Sequence, residues 1–275
     1  MMASSLTINS LMTFAEKVHP NTEIVSVTLD NPHHRYTFAD AFRRSRQLAN
    51  ALLALGATAG DRIGTLAWND YRHFELYYAV GGLGMICHTV NPRLFPEQID
   101  YIINHAQDRI LFIDPVFVPL IEQLAEQLKT VEKIVVLTSA EQMPETTLNN
   151  VFCYETLLAA ASDSIEWPEL DEDTPCSLCY TSGTTGNPKG VLYSHRSTIL
   201  HAYASALPDV LNVSRNDVLM PIVPMFHVNA WGAPYTACIT GSKIVFPGAK
   251  MADGEVLANL INDEKVTASL GVPTI

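Results

Sequence analysis

Tyr180-Thr181-Ser182-Gly183-Thr184-Thr185-Gly186-Asn187-Pro188-Lys189-Gly190 is the stretch on which the fold and the chemistry turn. A strand candidate, Cys176 to Thr181, runs into it, and a helical pattern from His195 to Ala206 follows it. Its three glycines let backbone N–H groups turn inward and approach an anion closely. The hydroxyls of Thr181, Ser182, Thr184 and Thr185 add neutral donors and can also reach Mg²⁺. Lys189 supplies a mobile positive charge for phosphate oxygens. The spacing differs from a Walker A loop, because Lys189 follows Pro188 and precedes Gly190. A P-loop kinase or GTPase is therefore disfavoured.

Outward from the loop, short β-branched runs alternate with helical patterns. Thr37 is placed to cap a helix whose apolar positions Phe42, Leu48, Ala49, Leu52 and Leu53 recur near helical spacing up to Gly56. Strands are expected at Arg62 to Ala67, Arg109 to Ile113, Lys133 to Leu137, Val218 to Ile222, Lys243 to Phe246 and Val266 to Leu270. Helices are expected from about Tyr71 to Val80, from Pro96 to about His105, and from about Gly254 to Asp263. This rhythm predicts an α/β fold of helix-flanked, mainly parallel sheets. Residues 139–174 interrupt it with a polar, acidic stretch containing a small helix, Tyr154 to Ala161. The chain thus divides into a first α/β region (1–138), a connection (139–174) and a phosphate-loop α/β region (175–275). Gly271-Val272-Pro273-Thr274-Ile275 is an apolar ending that reads as a truncation.

With 275 residues, 48% of them hydrophobic, the chain can bury a large core. A formal net charge of −12 repels phosphate backbones at long range and argues against a nucleic-acid partner. A small anion can still be held by a few local donors. The N-terminus has no secretory pattern, and the soft stretch Leu76 to Val90 is too short for a transmembrane segment. Five irregularly spaced cysteines make no disulfide framework, so a reduced, cytoplasmic protein is expected. Cys176 and Cys179 have metal-like spacing but no second pair, and their place in a strand favours plain packing. His195 and Arg196 open a helix and either face phosphate or serve the helix start. Arg43, Arg44 and Arg46 read as a solvated helix face.

The stretch 180–190 matches, position by position, the signature loop of the adenylate-forming (AMP-binding) enzymes, the superfamily of acyl-CoA synthetases, luciferases and peptide-synthetase adenylation domains. Asn91-Pro92-Arg93-Leu94 and Pro224-Met225-Phe226-His227-Val228-Asn229-Ala230-Trp231-Gly232 resemble the acyl-CoA synthetase branch, and within it the medium-chain fatty acid and 3-methylthiopropionate ligases. The resemblance implies that a carboxylic acid, ATP and CoA are the partners and that Mg²⁺ is a cofactor. It gives Thr181, Ser182, Gly183, Thr184, Thr185, Gly186 and Lys189 the task of holding the β- and γ-phosphates, with Thr184 and Thr185 nearest the metal. It places His227 beside the reacting carboxylate, and Trp231, Gly232 and Gly271 to Thr274 along the acyl pocket.

Other family features are missing from the sequence. No Tyr-Gly-x-Thr-Glu or Thr-Gly-Asp segment occurs, and the C-terminal domain with its transition-state lysine is absent. The expectation is therefore the N-terminal portion of an acid–thiol ligase, crippled alone. The alternative is a non-catalytic nucleotide-binding or interaction fragment, and a third reading is a redox or zinc protein built on the cysteine pair.

Overall fold

Val, Ile, Leu and Phe fill the short strands almost without polar alternation, as in Ile110-Leu111-Phe112-Ile113, which suits strands covered on both faces. The computed structural model describes residues 4–181 and 187–271. Among these residues the strands are β1 (Glu23–Ser26), β2 (His34–Thr37), β3 (Arg62–Leu66), β4 (Ile86–Thr89), β5 (Asp108–Ile113) and β6 (Lys133–Val136). They continue with β7 (Val151–Cys153), β8 (Pro175–Thr181), β9 (Lys189–Ser194), β10 (Val218–Pro221), β11 (Lys243–Phe246) and β12 (Ala268–Leu270). One sheet has seven strands in the order β7-β6-β5-β3-β4-β8-β9, and the other has five in the order β12-β10-β11-β1-β2. Pairing is parallel throughout except for the β8–β9 and β1–β2 neighbours. The α/β architecture expected from the alternation is therefore present. Chain order and sheet membership differ, however: residues 23–37 join the strands of 218–270, and residues 175–194 extend the larger sheet.

Helices α1 (Ile8–Val18), α2 (Phe38–Ala54) and α3 (Tyr71–Gly82) pack together on these sheets. Thr37 caps α2 as expected, and Asp40 closes the reciprocal half of the capping box. Every residue of α3 is buried. It touches α1, α2, β1, β4 and β8, so it reaches strands of both sheets. The soft stretch Leu76 to Val90 is thus an inner helix followed by an inner strand, β4, whose four residues are all buried. No helix among the described residues is long and apolar enough to cross a membrane.

Of the basic residues of α2, Arg43 is exposed as the solvated-face reading expects, whereas Arg44 and Arg46 correct it. Arg44 donates to Glu75 at 2.7 Å and to both oxygens of Glu155, and Arg46 pairs with Glu16 at 2.9 Å. The polar stretch 139–174 is the reason, because it lies over α2. Gln47 donates to the Leu158 carbonyl, Asn50 to those of Ser162 and Ser164, and Arg46 to that of Asp163. Helices α4 (Pro96–Ala106), α5 (Val118–Leu124), α6 (Tyr154–Ala159) and α7 (His195–Ala206) complete the cover up to the phosphate-loop region.

His195 decides between its two readings. Ser194 is the N-cap of α7, while the His195 ring is fully buried and its Nδ1 accepts the Ile8 N–H at 3.1 Å. It joins α7 to α1 and does not face phosphate. Burial holds its pKa down at about 4. A histidine whose folded pKa lies below its unfolded value of 6.5 leaves stability intact above that value. Its contribution is lost as pH falls from 6.5 towards 4, because the unfolded chain then binds the proton first. The stability advantage of the native chain over His195→Gln, read from urea midpoints, should therefore be constant above pH 7 and shrink on acidification through that window. A gap independent of pH would exclude this linkage.

Candidate functional site

β8 carries the signature loop out of the middle of the molecule. It lies between β4 and β9, and its residues Cys176 to Cys179 are buried. β9 returns antiparallel, with Thr181 opposite Lys189. These two residues form the neck of a hairpin, and both are exposed there. The Thr181 hydroxyl lies 3.4 Å from the Lys189 carbonyl. Ser182, Gly183, Thr184, Thr185 and Gly186, expected to hold phosphate and metal, lie outside the described residues. Tyr180 seats the strand end. Its hydroxyl is hydrogen-bonded to His105 Nδ1 at 2.6 Å and its ring sits 5.1 Å from that of His88.

The second motif, residues 224–232, follows β10 and is fastened from three sides. Asn69, just after β3, donates to the Pro221 and Val223 carbonyls and accepts the Met225 N–H at 2.6 Å. Tyr77 on α3 donates to the Met225 carbonyl. Asn229 reaches β8: its Nδ2 donates to Ser177 Oγ at 2.9 Å, and its Oδ1 lies 3.4 Å from Cys179 Sγ. Side chains two apart on a strand share a face, so Thr181 follows Ser177 and Cys179 on the face turned to Asn229. One further repeat, about 6.6 Å, separates Cys179 from Thr181. The two sequence motifs, about forty residues apart, therefore meet in space through Asn229.

Backbone geometry here is unusual. Val228, Asn229, Ala230, Trp231 and Gly232 have φ of 47, 50, 51, 52 and 73°. Five successive left-handed residues wind one turn of the wrong hand, closed by Ala230 N–H to the Pro224 carbonyl and Gly232 N–H to that of Asn229. Each of the four non-glycine residues costs roughly 1–2 kcal/mol in this region, which the side-chain anchors and packing must offset. His227 stands exposed at the start of the turn and Trp231 is 43% exposed near its end.

A cavity of about 250 Å³ opens between α7 and this turn. Val228, Asn229, Gly232 and Tyr235 form one wall, with Tyr193, Ser197, Thr198 and His201 opposite. Of the three pocket residues expected from the resemblance, Gly232 lines this cavity. His227 and Trp231 belong to the same turn but are not among the lining residues. Gly271 is exposed, and residues 272–275 lie outside the described ones. His201 and Asn229 escaped the sequence reading. His201 Nε2 lies 3.1 Å from the Trp231 carbonyl, so it supports the turn from α7. Larger hollows, one beside the N-terminus and one around Arg44 and Glu155, carry no residue of either motif.

Cys176 and Cys179 are free thiols in β8 with different neighbours, Thr198 on α7 and Asn229 in the turn. Burial pushes the Cys176 thiol up to about 12 and raises that of Cys179. Neutral, separated thiols suit packing, the reading favoured from the sequence. Among the described residues, no group of three His, Cys, Asp or Glu side chains could hold a metal ion. A metal arriving with nucleotide phosphates, the usual habit of Mg²⁺, needs few protein ligands.

Comparison with known proteins adds an independent line. The AMP-binding enzyme family model matches residues 13–275. Over its whole length the chain is 50% identical to a 3-methylmercaptopropionyl-CoA ligase of Ruegeria lacuscaerulensis, covering 51% of that protein. It is 47% identical to a medium-chain-fatty-acid–CoA ligase of Ectopseudomonas oleovorans, covering 50% of it. The crystal structure of an anthranilate CoA ligase in complex with anthranoyl-AMP has the same fold, with a TM-score of 0.84 at 24% identity over 96% of this chain and 50% of that one. The chain spans about half the length of the curated relatives it matches.

Gly232 offers a direct test of the turn. A Cβ there would lie 2.7 Å from His201 Cδ2 and would also occupy a left-handed position. Gly232→Ala should destabilise the protein by roughly 2–4 kcal/mol, combining the conformational and steric penalties. Introducing His201→Ala as well should recover part of that loss in urea unfolding. Strict additivity of the two changes would show that the contact contributes nothing.

Proposed function

The chain belongs to the AMP-binding enzyme family, and from that membership we propose that it forms the phosphate-loop portion of an acid–thiol ligase. The reaction is ATP-dependent activation of a carboxylic acid, with a medium-chain fatty acid as the favoured class, to an acyl-adenylate and then to acyl-CoA. The carboxylate oxygen attacks the α-phosphorus, the bond from phosphorus to the bridging oxygen breaks, and pyrophosphate leaves with the electron pair. In the second half the CoA thiol gives its proton to water, its sulfur bonds to the acyl carbon, and the bond from that carbon to the phosphate oxygen breaks as AMP leaves with the electron pair. Bringing two anions together makes positioning and charge neutralisation the main demands.

The observation that carries this reading is the Asn229 junction, which sets the loop-bearing strand against the turn bearing His227. Lys189 and the hydroxyls of Thr181, Ser182, Thr184 and Thr185, with the Gly183 and Gly186 amides, hold the β- and γ-phosphates. Thr184 and Thr185 would hold Mg²⁺, which would supply charge neutralisation on those oxygens. His227, exposed at the start of its turn, donates to the oxygen of the carboxylate or of the phosphate it attacks. The cavity beside Gly232 receives the acyl chain, with Trp231 as the neighbouring residue of the same turn. Its volume of about 250 Å³ and its Tyr193, Val228 and Tyr235 walls suit an apolar ligand of modest length. A reduced cytoplasmic setting fits the five free cysteines.

The test is pyrophosphate release from ATP and Mg²⁺ with a series of straight-chain carboxylic acids. Acid-dependent release that falls about tenfold or more in Lys189→Ala is expected, from loss of a charged hydrogen bond worth about 1.5–3 kcal/mol. ATP binding without release, lost in the same variant, would instead favour the nucleotide-binding reading.

A further inference from the structure

The left-handed turn at 228–232 is stable only because something outside it holds it. Its own backbone bonds do not select the hand, and Val228 is β-branched, which makes a positive φ there especially unfavourable. Asn229 is the residue type that tolerates this conformation, and it alone on the turn sends a polar side chain inward. It is 6% exposed, and its carboxamide meets Ser177 and Cys179 on β8 and the Tyr77 hydroxyl on α3 at 3.4 Å. The partners come from two other elements, α3 and β8. Reversing the hand would pull the carboxamide off all of them at once and re-aim the exposed side chains on either side.

We propose that Asn229 is a positioning residue for acid activation: its carboxamide holds residues 228–232 left-handed and so fixes where His227 and Trp231 stand relative to β8. The proposal rests on the ligase reading above. Asn229 touches no reacting atom; it acts through the turn. The strain is placed where geometry matters, between an exposed histidine and the wall of the cavity; elsewhere among the described residues left-handed non-glycine residues occur singly, as at Lys265 between β11 and β12. His201 braces the far end by its bond to the Trp231 carbonyl, so the turn is held at both ends.

The experiment uses the whole chain labelled with 5-fluorotryptophan, whose three tryptophans give separate ¹⁹F resonances. Trp231 is assigned with Trp231→Phe, and Trp167, remote from the turn, serves as control. Asn229→Gly keeps the backbone freedom for positive φ but removes the carboxamide. The Trp231 line should shift or split in this variant while Trp167 stays in place. The octanoate concentration that half-saturates the Trp231 shift should rise about tenfold, the effect of losing a hydrogen bond or two. Ser177→Ala, which removes one anchor only, should move both readouts the same way by less, and it decides the matter if the glycine variant does not fold. An unchanged Trp231 line overturns the proposal. A changed line with an unchanged octanoate response overturns it too, leaving Asn229 a structural role only. Should octanoate and the other acids leave the native Trp231 line unmoved, the ligase reading fails on the native chain alone. The ligand-free comparison then still shows whether Asn229 holds the turn.

Discussion

Complete burial of α3 is the constraint from which most of the structure follows. A helix with no exposed face must give every polar side chain a partner inside the protein, because an unpaired buried group costs one to several kcal/mol (roughly). Arg72 is met by Asp30 and Glu155, Glu75 by Arg44 and the Tyr154 hydroxyl, and His73 by Thr65 and the Trp68 carbonyl. Asp30 lies in the turn after β1 and Glu155 and Tyr154 at the start of α6, while Arg44 comes from α2 and Thr65 from the central strand β3. The helix therefore organises its surroundings as much as it fills the space between the sheets. Burial, with the Glu155 charge, raises the Glu75 pKa and Arg44 opposes that, so removing the arginine would leave a carboxyl that cannot easily ionise.

The same helix reaches the candidate site. Tyr77 and Tyr78 send their hydroxyls to the carbonyls of Met225 and Pro234, one on each side of the left-handed turn. Asn69, at the end of β3, binds the backbone just before that turn. The chain leaves the smaller sheet at Pro221, touches β8 of the larger sheet through Asn229 and returns to the smaller sheet at β11, so the turn ties the two sheets together. A joint built from side-chain bonds to backbone carbonyls needs no regular helix or strand, which is why an energetically unfavourable hand can persist there.

This explains what the sequence made legible. Around residues 176–206 the strand before the loop and the helix after it fall within a residue of the expected limits, whereas the strand β9 between them went unread. Long amphipathic runs such as α2 and the helix Gly254–Glu264 were equally readable from their spacing. Strands of three or four residues, among them β1, β2, β4 and β7, are too short to show a period. Arg44 looked solvated because its partners Glu75 and Glu155 lie 31 and 111 residues away. Asn229 was quoted within a motif but given no task, since its partners Tyr77, Ser177 and Cys179 come from 50 to 152 residues upstream. Composition records none of these pairings; only the meeting of the two sheets creates them.

Charge distribution closes the argument about how an acidic protein can receive an anionic ligand. The net charge of −12 is a far-field quantity, screened beyond roughly 8–10 Å at ordinary ionic strength. Close to the site the count is different. Arg35, Arg44, Arg46, Arg72, Arg109 and Arg196 are all engaged by carboxylates elsewhere on the molecule. Lys189 at the hairpin neck and Arg93 have no carboxylate partner among the described residues. Arg93 lies instead over the rings of Phe226 and Trp68, 5.7 and 6.0 Å away, directly beside the motif that carries His227. Aromatic faces hold a guanidinium in place without neutralising it. The acidic surface thus discourages polyanions, while Lys189 and Arg93, two of the cations without a carboxylate partner, lie next to the two motifs and keep a local positive charge there.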